Sequence, residues 1–293
     1  MRSSIFLVFI LFVLVTCSTV EDVDIGLDKP KLVVNSLFSV DSVWRVRVTN
    51  TVNIVDNPMG HGFFQNIQDA VITLYDENNL LIEKLELKPD QNYTTSYRSK
   101  KYPEQGKRYT IHVDVNNQPT LKATSSVPER VSIKSVSVDS SQVDSKGEMI
   151  LDLTFNDPSG IENFYLVKII EEGYYVRNND TLRSLNNVYF NPVDPVYQEN
   201  ISSHGAFLND HLFEGKELNF KLSLRQNYST AIKKKRKVIL FTLTSTYYQY
   251  VISHELQRNS TDDPLAQPAL IFSNVENGLG IFAGYGVSVF DLN

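Results

Sequence analysis

The chain has 293 residues, a single cysteine, 42% hydrophobic residues and a formal net charge of −6. That length suffices for two domains with cores of their own, the acidic balance argues against a nucleic-acid binder, and one cysteine leaves no disulfide framework. Val, Thr, Tyr and Phe in short alternating runs, broken by Asn, Asp, Gly and Pro, predict a mainly β protein.

The chain opens with Met1-Arg2 and an apolar run over 5–15, too short to span a bilayer but suited to the core of a signal peptide. The run ends in Leu14-Val15-Thr16-Cys17, and the thiol of Cys17 is the nucleophile a bacterial lipoprotein signal requires. Residues 1–16 are therefore read as a lipoprotein signal peptide and Cys17 as the lipidated first residue of the mature chain. Residues 17–29, with Glu21, Asp22, Asp24 and Asp28, have no periodicity that buries a face and read as an acidic tether. Acidic residues just after a lipidated cysteine also resemble the surface-export signal of Bacteroidota lipoproteins.

Residues 30–128 read as the first domain. Trp44, Val46 and Val48 alternate with Arg45 and Arg47, and Tyr109, Ile111 and Val113 with Thr110, His112 and Asp114, the period-two mark of half-buried strands. Further strands are predicted at 31–37, 70–75, 80–87, 93–97 and 121–127, which makes an immunoglobulin-like β-sandwich. Pro128 cannot continue a ladder and marks the boundary. The second β-rich domain, 129–293, has predicted strands at 131–138, 149–156, 164–171, 217–225 and 237–244, an irregular stretch over 174–207, a helix over 246–258 capped by Ser245 or Thr246, and a last strand at 287–291.

Few residues point to chemistry. His254-Glu255-Leu256-Gln257-Arg258 places Arg where a zinc-protease helix needs its second imidazole. His204, Asp210, His211 and Glu214 have no recognised ligand spacing, and Gly278, Gly280, Gly284 and Gly286 lack a phosphate-loop pattern and read as close backbone packing. No nucleophile elbow is present, so no enzyme activity, catalytic residue, metal or cofactor is expected. Lys233-Lys234-Lys235-Arg236-Lys237 reads as a solvated hairpin end or a dock for acidic groups. Tyr174, Tyr175, Tyr189 and Tyr197 read either as a platform for a ligand or partner or as ordinary sandwich packing.

The Pro103-Glu104-Gln105-Gly106-Lys107-Arg108-Tyr109 corner resembles that of carboxypeptidase-regulatory-like domains, in which Gly and Lys form the turn and Tyr enters the core. The Pro30-Lys31-Leu32-Val33-Val34-Asn35 opening, the Asp210 to Lys216 turn, the helix with Tyr247-Tyr248, and above all the run from Ser273 to Phe282 resemble a Bacteroidota outer-membrane lipoprotein family labelled domain of unknown function 4249. The resemblance implies a lipid-anchored, surface-facing outer-membrane protein acting as a non-catalytic accessory of a TonB-dependent uptake system. Two other readings stay open, a stand-alone lipoprotein that captures glycans or peptides and a structural cell-envelope protein.

Overall fold

The structure, a computed structural model, describes residues 30–52, 66–90, 95–143, 148–177, 180–202, 205–224, 233–261 and 269–292. The leader, Cys17 and the tether lie outside the described residues, as does His204. Eight strands come first: β1 (Leu32–Phe38), β2 (Arg45–Asn50), β3 (Val71–Tyr75), β4 (Leu81–Lys84), β5 (Glu86–Pro89), β6 (Thr95–Arg98), β7 (Arg108–Asp114) and β8 (Leu121–Ser126). Then follow β9 (Ile133–Val143), β10 (Met149–Asn156), β11 (Phe164–Arg177), β12 (Asp180–Asn187), β13 (Phe190–Pro192), β14 (Ile201–Ser202), β15 (Gly205–Asn209), β16 (Glu217–Leu224), β17 (Lys233–Leu243) and β18 (Leu279–Leu292). Helix α1 (Ser245–Thr261) lies between the last two strands. The described residues are mainly β with one α-helix near the C-terminus, as the sequence predicts.

A ten-stranded sheet runs β14-β15-β11-β17-β18-β1-β2-β6-β5, with β12 also paired to β11. Two four-stranded sheets, β4-β3-β7-β8 and β13-β16-β10-β9, complete the set. The first small sheet shares a core with one end of the large sheet, through Val34, Phe38, Trp44, Ile72 and Ile111. The second shares another with the opposite end, through Leu151, Phe155, Tyr165, Val167 and Phe220. The predicted strand 80–87 is two strands, because β4 pairs with β3 and β5 with β6 in different sheets. Leu85 is buried between them and its N–H bonds the Ile72 carbonyl, so the chain turns the corner of a sandwich there.

A tight corner precedes β7. Gly106 takes φ +75°, which a side chain disfavours, and buried Tyr109 accepts the Glu104 N–H on its Oη at 2.9 Å.

The last strand is longer than predicted and joins the two sandwiches. Residues 279–284 of β18 pair in parallel with β1, and 285–292 pair antiparallel with β17. Phe282 enters the first core, whereas Phe290 and Leu292 pack on the second. These three share one parity, and Tyr285, of the other parity, faces the helix. Both small sheets thus cover one face of the large sheet and α1 covers the other. The residues at 275–284 therefore belong spatially with the first sandwich, although they close the chain.

Helix α1 starts one residue before the predicted span and runs three residues past it. Its cap is Thr244, whose Oγ1 accepts the Tyr247 N–H at 3.3 Å, not Ser245 or Thr246. Tyr247, Tyr248, Val251 and Ile252 form one stripe against Phe164, Leu166, Phe207 and Leu243. β11 is consequently covered on both faces over its first half, the even residues by the helix and the odd ones by the second core.

Candidate functional site

Tyr174, Tyr175 and Tyr189 fall in or beside the hairpin of β11 and β12, which occupies much of the stretch expected to be irregular, and Tyr197 lies in the helical turn Pro195–Asn200. Successive residues of a strand point to opposite faces, so Tyr174 and Tyr175 cannot share a platform. Tyr174 donates to Glu172, which also pairs with Arg183. Tyr175 lies over Gly173, where a Cβ would come 3.1 Å from the phenol ring. Tyr197 is only 9% exposed, packed edge to face with Phe220 at 5.3 Å in the second core. Tyr189 is 64% exposed, and its neighbour Val188 bonds the Ile169 carbonyl. That places it six residues from Tyr174 along β11, about 20 Å away at strand spacing. The structure does not bring the four together; Tyr197 is core because it follows Phe190 across the inner face of β16.

What the hairpin does present is apolar side chains. Val176 is 57% exposed and Leu185 62%, both on the helix side of the sheet, and Leu182 is exposed beside Tyr175 on the other side. Among the described residues β12 pairs only with β11, so its outer edge is an open row of main-chain donors and acceptors.

Of the candidates His204, Asp210, His211 and Glu214, the structure brings Asp210 and Glu214 together with Asp157, which the sequence did not single out. Asp157, Asp210 and Glu214 each bring a carboxylate oxygen within 4.8 Å of the others. Each carboxylate is already hydrogen-bonded. Asp157 accepts from the Tyr165 hydroxyl and, at 2.8 Å, from the Gly215 N–H. Asp210 accepts the Asn163 N–H at 2.6 Å and Glu214 the Gly160 N–H at 2.7 Å. Burial first, and then the bond to Asp157, raises the Tyr165 phenol far above its ordinary value, so it stays a donor. The cluster knots the loop after β10 to the turn before β16. The Asp157-Pro158-Ser159-Gly160 turn was the available signal, but only the fold puts it beside Asp210. His211 is drawn to Glu162 instead, at 3.0 Å, and this exposed pair raises the imidazole above its usual value.

The basic run forms the first five residues of β17 and pairs with β11. Arg236 bonds buried Glu171 at 2.8 Å, Lys234 approaches the same carboxylate at 3.7 Å, and Lys237 pairs with Asp291 at 3.2 Å. On α1, Arg258 pairs with Glu255 at 2.8 Å. Among the described residues no helix is long and apolar enough to cross a membrane.

The segment from Ser273 to Phe282 is a clasp. Asn274 accepts the Phe282 N–H at 3.0 Å and donates to the Phe282 carbonyl at 2.8 Å. Gly280 takes φ +112°, and a Cβ there would meet the Val34 carbonyl oxygen at 2.0 Å. At Gly284 a Cβ would meet the Ser126 carbonyl oxygen at 2.0 Å. These glycines serve the close approach of β18 to β1 and β8.

Comparison with known proteins adds a family and little else. No curated protein matches the chain. Among solved structures, a DUF4785 family protein from Legionella pneumophila aligns with a TM-score of 0.24 at 9% identity, over 72% of this chain and 52% of its own. The chain thus spans about half the length of that protein. Residues 19–290 match the family described as Domain of unknown function (DUF4249), and the chain belongs to that family.

Proposed function

We propose that this is a non-catalytic lipoprotein of the Bacteroidota outer membrane, held through Cys17 with its body facing the cell surface, and an accessory of a TonB-dependent uptake system. The carrying observation is the β11–β12 hairpin, which exposes Val176 on β11 and Leu182 and Leu185 on β12, whose outer edge is unpaired among the described residues. An exposed apolar edge strand in a folded protein is a liability unless a partner covers it, and strand addition is a common way of doing so. The tether after Cys17 reaches at most about 40 Å when extended, which keeps the body within touch of a neighbouring barrel. A short flexible tether gives effective concentrations of about millimolar, so a weak contact is enough.

The test is co-purification of the tagged protein from its native outer membrane in mild detergent. A TonB-dependent barrel recovered in near-equal amount, and lost with Leu182→Asp plus Leu185→Asp, supports the reading. Recovery of the protein alone refutes it. Cys17→Ser should move the protein from the membrane to the soluble fraction, and a variant that stays membrane-bound removes the anchor from the proposal.

A further inference from the structure

The first sandwich carries a cleft distinct from the hairpin. It lies between the turn after β3, the 101–104 segment and the start of β7, with a volume of about 380 Å³. Small-molecule sites run from about 300 to 1,000 Å³. Trp44 lines it, is 1% exposed, and has an indole N–H without a hydrogen-bond partner. That N–H is itself shielded from solvent, so Trp44 serves the cleft as a wall and as a reporter.

Much of the remaining lining is already committed. Glu77 pairs with Lys107 at 3.1 Å, Lys101 donates to the Ile82 carbonyl at 3.0 Å, and Asp76 accepts the N–H groups of Asn78 and Leu80 at 2.9 and 2.8 Å. What the rim offers a ligand is one carboxylate, Glu104, one guanidinium, Arg108, the Asn78 amide, and the ring of Tyr102, 59% exposed. An anion would face Glu104, a cation would face Arg108, and an apolar molecule would strip water from both. A neutral polyol meets none of these costs. Its adjacent hydroxyls donate to a carboxylate and accept from a guanidinium or amide, each a planar two-point partner. The C–H face of a sugar ring also has the Tyr102 ring to lie on.

We infer that the cleft at Trp44 and Tyr102 is a binding site for a neutral saccharide unit. The inference rests on the cleft alone and does not depend on the membrane partner.

Trp44 is the chain's only tryptophan, so its emission reports on the cleft directly. The experiment titrates the protein with maltose, cellobiose and N,N′-diacetylchitobiose, and with galacturonate, glucosamine and diglycine as charged comparisons. At least one neutral sugar should change the emission saturably in the millimolar range and more strongly than any charged compound. Tyr102→Ala should weaken that affinity about tenfold, equivalent to about 1.4 kcal/mol. Arg108→Gln and Glu104→Gln should each weaken it too, with unchanged unfolding midpoints because all three side chains are exposed. Leu182→Asp should leave it unchanged. The inference is overturned if no neutral sugar moves the emission, if a charged sugar or diglycine binds better, or if the affinity survives both Tyr102→Ala and Arg108→Gln.

Discussion

Phe282→Ala tests whether the last strand belongs to the first sandwich. Phe282 is fully buried, with its ring 4.6 Å from Phe38 in a cluster that includes Trp44 and Tyr109. Removing a buried phenyl ring costs about 3–5 kcal/mol, depending on how far the cavity collapses. These neighbours are themselves large rings packed on one another, so collapse is limited and the upper part of that range applies. With a urea slope of about 2–3 kcal/mol/M, the unfolding midpoint should fall by about 1.3–2.5 M. Trp44 fluorescence reads the first sandwich and far-ultraviolet dichroism reads the whole molecule, and the two transitions should shift together, because β18 is shared. Phe290→Ala, at a partly buried position on the second core, should shift both by less. A Phe282→Ala midpoint within about 0.3 M of the wild type, less than about 1 kcal/mol, would refute the assignment.

Gly280→Ala should be among the costliest single-methyl additions in the chain, above about 2 kcal/mol, since the backbone is left-handed and the Val34 carbonyl stands 2.0 Å from the new carbon. Gly286→Ala, whose nearest neighbour is 3.3 Å away, should cost far less by thermal unfolding. Tyr197→Ala should lower stability by about 3 kcal/mol or more, as for a core aromatic, and Tyr189→Ala should stay within about 0.5 kcal/mol. Hydrogen bonds from Lys100, then Lys88, hold the exposed Glu86 carboxyl down to about 2. Its stabilisation is therefore present above the unfolded carboxylate value of about 4.3 and lost as pH falls through about 2. A carboxyl-carbon titration by NMR should show the low midpoint, and Lys100→Ala should return it toward the ordinary range.

What the sequence revealed depended on how each strand is buried. Trp44, Val46, Val48 and Tyr109, Ile111, Val113 alternate because one face of their strands meets a core and the other meets solvent, and these strands were legible. Tyr165 and Phe164 are both buried, on opposite faces of β11, so the period disappears there. Leu182 and Leu185 sit on a strand exposed on both faces, which also lacks a period, and the hairpin fell in a stretch with only weak strand signals. Tyr197 could not be told from its three fellow tyrosines by sequence, because its core is assembled by β13 and β16 rather than by its own neighbours. The parallel pairing of Val33 with Leu279 leaves no local trace at all. The Trp44 cleft drew residues from three separate segments, and the signal for Trp44 was a strand.

Whether the segment most specific to the family does chemistry or holds the fold is decided at Asn274. Its amide mimics a strand partner for Phe282, so Asn274→Ala leaves a main-chain N–H and a carbonyl without those bonds beside the first core. Unmet buried groups cost about 1–3 kcal/mol each, and the exposed flank of Asn274 lets water recover part of that, which sets the expected loss at about 2–3 kcal/mol. Asn277, whose Nδ2 donates to the Thr120 carbonyl at 3.0 Å, stands at φ +61°, where asparagine is tolerated better than alanine, and should show a similar, smaller effect. If the segment is a clasp, Asn274→Ala lowers the midpoint in urea while the folded variant keeps wild-type affinity in the Trp44 titration and in barrel capture. If it is a recognition site, stability holds and binding falls. The second outcome would overturn the structural reading of the segment, since two bonds to a buried backbone cannot be lost without a stability cost.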